Sequence, residues 1–543
     1  MKRWTFFLCG LLMTSVGSAD EAPRRSPIID DPFLWLEEVE GKRALEWVEQ
    51  RNGETLDELQ ADERYARFLA QAEALLNARD RIPYGSVRGR HIYNFWRDAD
   101  HVRGIVRRTP LASYRTTEPK WETVLDIDAL AESENENWVY KGIAWLAPGY
   151  EHCLVKLSRG GADASVHREF NTLAKRFVEG GFVLPEAKSG VTWLNRDTLL
   201  VGTDWGEGSL TASGYPRIAK RWKRGTPLAK AETLFEGRHE DIGIWPRVLD
   251  SGKATLPMID QSLTFYTGAY HLIGDNGQLQ RLPLQDSADL AGFYAGRILF
   301  TLREAWEVAG RTLPQGALLA INAAALRPSG KLPHVETIYT PDNRTSIESV
   351  TVSRSGLYVS LLQNVKGRIL RFGVDAKSGE WSAESLPLPP NGTVSLSAAS
   401  AHSDTVLVNY EDHITPDRLS EYDAGANALS LLKSLPARFQ ADNLQVSQHM
   451  AGSADGEVVP YFVIHRRGLK PNGSTPTILH GYGGFKISLK PTYSATIGKL
   501  WLERGGAYAV ANIRGGGEFG PRWHKAALKT NRQRAYDDFI AVA

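Results

Sequence analysis

Two glycine-rich strings carry the residues best placed to do chemistry. One is His480-Gly-Tyr-Gly-Gly-Phe485, directly after the apolar run Thr477 to His480. The other is Ala511-Asn-Ile-Arg-Gly-Gly-Gly-Glu-Phe-Gly520, which overlaps the end of the apolar run Ala507 to Ile513. Glycines after a strand let the backbone turn sharply and let other atoms approach closely. Taken alone, such a string is a structural turn more often than a site. Neither is a phosphate cradle: the chain has no G-x-x-x-x-G-K-[ST], and Gly206-Glu-Gly208 is not completed by a third glycine. His239-Glu240 lacks the second histidine of a zinc-peptidase helix. Cys9 lies in an N-terminal apolar run and leaves only Cys153, so neither a thiolate zinc site nor an internal disulfide is expected in the mature chain. No metal and no cofactor is expected. His524 follows Trp523 at a helix start and reads as a packing or capping residue rather than a general base. No serine stands in the G-x-S-x-G elbow that a histidine base would serve.

The elements that must hold these strings follow from composition and periodicity. The chain has 543 residues, 42% hydrophobic and 23% charged, an ordinary globular composition for two to four domains. Lys plus Arg total 64 against 63 Asp plus Glu, which gives no broad basic surface, so nucleic acid is not an expected partner. Lys2 and Arg3, the apolar run Trp4 to Val16 and the small residues Gly17, Ser18 and Ala19 read as an export signal over residues 1–19. That run is shorter than the roughly 20 residues that cross a bilayer. A periplasmic or secreted monomer with no stable membrane insertion after signal cleavage is the expectation.

Over residues 20–81 the pattern is helical, with Leu45 and Val48, then Tyr65, Phe68 and Leu69, then Ala72, Leu75 and Leu76 at spacings of three and four. Over 82–440 short alternating runs such as His91 to Trp96, Leu199 to Val201 and Leu357 to Leu362 alternate with turns such as Lys377-Ser378-Gly379. An all-β stretch of about 350 residues outgrows a single sandwich, whereas four-stranded blades of about 45 to 50 residues each give a β-propeller of about seven blades. Trp138, Trp145, Trp193 and Trp205 are assigned to blade cores. Over 441–543 the runs Val458 to His465, Thr477 to His480 and Ala507 to Ile513 suit a parallel or mixed sheet buried on both faces under helices. Ala535, Tyr536, Phe539, Ile540 and Ala543 then hold helical spacing without a stop signal.

At this level of detail the strings "ILHGYGGFKISLKPTYS", "GGAYAVANIRGGGEFGPRWHKAALKTNRQRAYDDFIAVA" and "DPFLWLEEVEGKRALEWVEQRN" resemble the prolyl oligopeptidase family of serine peptidases. "FVEGGFVLPEAKSGVTWLNRDTLLVGTDWGEGSLTASGYPR" resembles the propeller of its bacterial members. The likeness runs from about Asp31 to Ala543 in the family's order. It implies a seven-bladed propeller over an α/β-hydrolase domain built from the N-terminal helices and the C-terminal segment. It also implies hydrolysis of short peptides, often after proline, with the propeller restricting access by large proteins.

Amide hydrolysis by a serine passes through an oxyanion, and a preplaced donor at that oxygen lowers the barrier by roughly 3 to 4 kcal/mol. A phenol is a suitable donor on a glycine-flanked turn at a strand end. In the family this tyrosine is the side-chain half of the oxyanion hole, and the resemblance gives that role to Tyr482. Phe485 matches the aromatic lining of the pocket for the residue before the cut, with core packing as its ordinary alternative. His480 stands where many relatives have tyrosine. Asn512 and Arg514 match the motif too, and are assigned to a structural salt bridge or turn hydrogen bond. In the family the nucleophile follows shortly after the "DDFIAVA" helix, and the acid and histidine come later. The resemblance therefore implies a truncated peptidase with an incomplete α/β-hydrolase domain, no nucleophile, acid or base in this chain, and no activity as it stands. Open apolar faces at Thr477 to His480 and Ala507 to Ile513 are expected. The alternative reading is a noncatalytic propeller protein that binds peptides or a protein partner.

Overall fold

The computed structural model describes residues 31–38, 40–327 and 330–543. The export signal read over residues 1–19, Cys9 included, lies outside them. The chain forms two compact units, Met1–Gln71 and Ala72–Ala543. In the first, the helix Lys42–Ala61 follows a short turn of 3-10 helix at Leu34–Glu37. Trp35 meets Trp47 edge-on at 6.3 Å, and the Arg43 guanidinium lies 4.0 Å over the Trp35 ring. No helix of the described residues is long and apolar enough to cross a membrane.

The second unit is dominated by seven antiparallel sheets of at least four strands, spanning residues 86–126, 138–187, 190–236, 243–281, 288–339, 345–385 and 393–434. In each, strand follows strand in chain order. The second gains a fifth strand, Val183–Ala187, and a hairpin over 306–313 interrupts the fifth. These are the blades of a propeller. The apolar pattern shows why a single sandwich is not formed. In the strand Thr198–Gly202 every residue is buried, but Leu199 and Val201 pack with Leu154 and Leu184 of the preceding blade while Leu200 packs with Ile244 and Ile259 of the next. Alternate side chains thus serve two different neighbours, as the two-residue repeat of a strand dictates. The apolar interior is accordingly divided among clusters, each shared by two adjacent blades. The ring closes where Val87 and Ile92 of the first blade meet Ala398, Leu407 and Leu419 of the last. There the Tyr84 hydroxyl also bonds Asn409 Oδ1 at 2.9 Å and Asp417 Oδ1 at 2.7 Å. Trp138 and Trp193 are buried in blade clusters, and Trp145 and Trp205 pack partly buried against them.

After the last blade the chain forms a mixed sheet, in the order Leu444–Gly452, Val458–Arg466, Ala507–Ala511, Thr477–Gly481. The last two run parallel, and the first three are antiparallel. Ala507–Ala511, central in the sheet, is covered: Val510 and Ala511 pack with Phe519, Trp523 and Ala535, and Tyr508 lies against the cluster of Ile464 and Leu502. The expected open apolar face on this run is therefore absent. Thr477–Gly481 has Thr477, Ile478 and His480 exposed, which agrees with the open face expected there and not with a strand buried on both faces. Among the described residues it is the edge strand of this sheet, paired with Ala507–Ala511.

Candidate active site

Both glycine-rich strings leave the carboxyl ends of the neighbouring parallel strands Thr477–Gly481 and Ala507–Ala511, which are paired in register from Thr477↔Ala507 to Gly481↔Ala511. In open sheets the crevice beyond the carboxyl ends is where ligands bind. The two loops interlock. Gly483 has φ 62°, and a Cβ there would stand 2.6 Å from Ile513 Cγ1 and 2.8 Å from the Arg514 carbonyl oxygen. Gly515 has φ 95°, and a Cβ there would collide with the Gly483 carbonyl. The same carbonyl accepts from the Arg532 guanidinium. Glycine is required at both positions, because the left-handed conformation and the lack of space act together.

The second loop is anchored by charge. Arg514 is 3% exposed and donates from Nε and Nη2 to the Asp538 carboxylate at 2.9 and 2.6 Å, and from Nη1 to Asp455 Oδ2 at 2.5 Å. Its backbone N–H also donates to Asp538 Oδ2 at 2.9 Å. Burial works against the guanidinium charge, yet the bonds to Asp538 and Asp455 hold its pKa above the ordinary value. The Asn512 amide donates to the Leu489 carbonyl at 2.7 Å. Glu518, 2% exposed, accepts from the Leu489 N–H at 3.0 Å, and burial pushes its pKa up to about 7. Arg514, Asp538, Asn512 and Glu518 are buried and frame the loops, while Asp455 holds Arg514 from the exposed side.

Tyr482 is placed differently. It is 43% exposed on the frame just described, its ring lies over Gly484, and its hydroxyl has no hydrogen-bond partner among the described residues. Phe485, on the same loop, is 68% exposed with φ 50°, so it is not a core residue of the described chain. Lys486 follows with φ 60°. It is half-buried, and burial followed by the nearby Arg303 charge lowers its pKa. A cavity of about 510 Å³ lies where the fifth and sixth blades meet this segment, with Arg303, Glu348, Lys486 and Phe519 in its wall. Tyr482 and Phe485 do not line it. His524 is 4% exposed and packs edge-on against the propeller's Tyr266 at 5.2 Å; burial lowers its pKa, with the cations Lys486, Arg303 and Lys525 adding to the effect. His480 is exposed, its ring stacked 6.4 Å from Tyr508. The described residues contain no cluster of three metal-ligating side chains.

Nothing in the sequence marked Glu348, which accepts from Ser488 Oγ at 3.1 Å across 140 positions, or Arg532, while Glu518 lay inside the second glycine string with no role assigned to it. Lys486 directly follows the string that ends at Phe485 and likewise had no role assigned to it.

A seven-bladed propeller joined to a mixed sheet, with interlocked glycine loops at the ends of its parallel strands, defines a propeller-bearing α/β-hydrolase. The family model for the prolyl oligopeptidase N-terminal beta-propeller domain matches residues 15–255 and 308–434, and that of the prolyl oligopeptidase family matches 491–543. An uncharacterized peptidase of Sinorhizobium fredii is 42% identical, over 98% of this chain and 74% of that protein. A prolyl endopeptidase of Elizabethkingia miricola is 25% identical, over 95% of this chain and 70% of its own length. The solved structure of a post-proline cleaving enzyme from Rickettsia typhi matches with a TM-score of 0.86 at 30% identity, over 93% of this chain and 75% of that one. The chain belongs to the prolyl oligopeptidase family of serine peptidases.

Proposed function

We propose that the protein is a serine oligopeptidase that cleaves short peptides on the carboxyl side of proline through an acyl-enzyme. The observation that carries this reading is the free, half-exposed phenol of Tyr482 on a rigid glycine frame at the carboxyl end of a sheet strand. As a serine oxygen attacks the peptide carbonyl, the carbonyl oxygen gains negative charge, and the Tyr482 O–H donates to it. A donor already held in place needs no reorganisation at that moment. The exposed ring of Phe485 offers an apolar face to the pyrrolidine of a proline before the cut. The names of the Rickettsia typhi and Elizabethkingia miricola relatives support that preference.

None of the 543 residues stands in a G-x-S-x-G elbow, so nucleophile, base and acid are assigned to no residue here, and the 543 residues by themselves are inactive on this reading. The Lys2 to Ala19 leader supports a periplasmic or secreted location, and the enzyme is taken to work as a monomer on peptides. A fluorophosphonate probe tests the assignment. It should label the natural gene product at one serine and leave a protein made of residues 1–543 unlabelled. Stoichiometric labelling of the latter would overturn the assignment.

A further inference from the structure

The two ends of the propeller channel are built differently. The turns between second and third strands face the mixed sheet: Tyr266 reaches His524, Gln448 Nε2 donates to the Asn364 carbonyl at 2.9 Å, and Glu411, at the end of a second strand, accepts from the Tyr493 N–H at 2.8 Å. The turns between first and second strands therefore lie at the opposite end, remote from Tyr482.

At that remote end two turns meet across the axis. Asp250, closing the first strand of the fourth blade, places Oδ2 2.6 Å from Nε2 of His402, which lies in the corresponding turn of the seventh blade. In a ring of seven these blades are as far apart as two blades can be, so the contact spans the channel rather than joining neighbours. The approach is close along the backbone as well. Gly252 has φ 78°, and a Cβ there would collide with the Ala401 carbonyl. Asp250 Oδ1 fixes its own turn by accepting from the Gly252 N–H at 2.7 Å. Two further blades join. The Tyr150 ring of the second stands edge-on to His402 at 6.3 Å, and Arg354 of the sixth donates to the His402 carbonyl and to Asp404 Oδ2 at 3.1 Å.

We propose that Asp250 and His402 knot the remote mouth of the channel shut, so that peptides reach the Tyr482 loop only from the side of the mixed sheet. The proposal rests on the peptidase reading above. A first-to-second turn otherwise needs only to reverse the chain. Here four of them converge on one histidine, and the glycine at the tightest approach permits the closure.

The test uses the natural gene product carrying Asp250→Cys and His402→Cys, with dibromobimane, which bridges two nearby thiols and fluoresces once both have reacted. The double variant should become fluorescent while either single variant does not. The bridged enzyme should cleave a short proline-containing peptide with kcat/KM within about twofold of the unbridged one. Failure to bridge in a variant that retains the wild-type circular dichroism would show that the turns do not meet and would overturn the proposal. So would a loss of more than about tenfold on bridging, since the remote mouth would then be the route in. Absence of peptide cleavage before bridging counts against the peptidase reading itself, whereas bridging reports on the closure alone.

Discussion

Glu348, on the first strand of the sixth blade, accepts a hydrogen bond from Ser488 Oγ at 3.1 Å, six positions beyond Tyr482. It also lies 3.2 Å from Lys490 Nζ. The propeller thereby touches the segment that continues from the Tyr482 loop. Because these side chains are partly exposed, the ion pair contributes about 1 kcal/mol or less. Glu348→Ala should speed amide hydrogen exchange over residues 486–490 while leaving the unfolding midpoint nearly unchanged. Unaltered exchange there would show that the contact does not hold the segment.

Arg514 should be among the least tolerant positions. Its removal strands the buried Asp538 carboxylate without its partner, and breaking a buried pair from one side costs about 3–5 kcal/mol. Denaturant unfolding of Arg514→Met should show a loss of that order; a loss below about 1 kcal/mol would mean that solvent reaches the pair.

Gly483→Ala tests the interlock of the two loops. A methyl group there meets Ile513 at 2.6 Å in a left-handed backbone, so the loop has to move. A non-glycine residue forced into a crowded left-handed site costs about 1–3 kcal/mol. The melting temperature should fall, and peptide cleavage by the natural gene product should fall with it. Wild-type activity at lowered stability would separate Tyr482 from this frame.

Burial holds the Glu518 and Glu411 carboxyls at about 7 in the folded protein, against 4.5 for an ordinary glutamate. The folded chain therefore keeps protons that the unfolded chain releases from about 4.5 upward, and stability falls as pH rises through that window. Glu518→Gln removes one of these groups while keeping an acceptor for the Leu489 N–H. Relative to wild type, this variant should be more stable at pH 8 than at pH 5. An equal difference at both pH values would contradict the assignment.

The propeller was legible because an all-β stretch of about 350 residues, cut by turns into short runs such as Leu199 to Val201, is too long for a single sandwich and suits four-stranded blades. The glycine loops were legible because Gly483 and Gly515 have no substitute at a left-handed, crowded turn. Thr477 to His480 was legible in part, since an open face was expected there and Thr477, Ile478 and His480 are exposed. Its apolar character suggested an interior strand, but position at a sheet edge is set by the order of pairing, which composition does not encode. The contacts of Glu348 with Ser488 and of Asp250 with His402 join residues far apart in the chain, so spacing carried no sign of them. Arg514 was read as a salt-bridge residue from its motif, but its partners Asp455 and Asp538 could be identified only once the helix Gln533–Val542 had been placed against the loop.

Steady-state kinetics of Tyr482→Phe in the natural gene product shows whether the Tyr482 phenol stabilises the oxyanion. Loss of one such donor should lower kcat about 100-fold with little change in KM for a short proline-containing peptide, because the bond is needed chiefly in the transition state. A raised KM with unchanged kcat would contradict the account and assign Tyr482 to substrate binding alone.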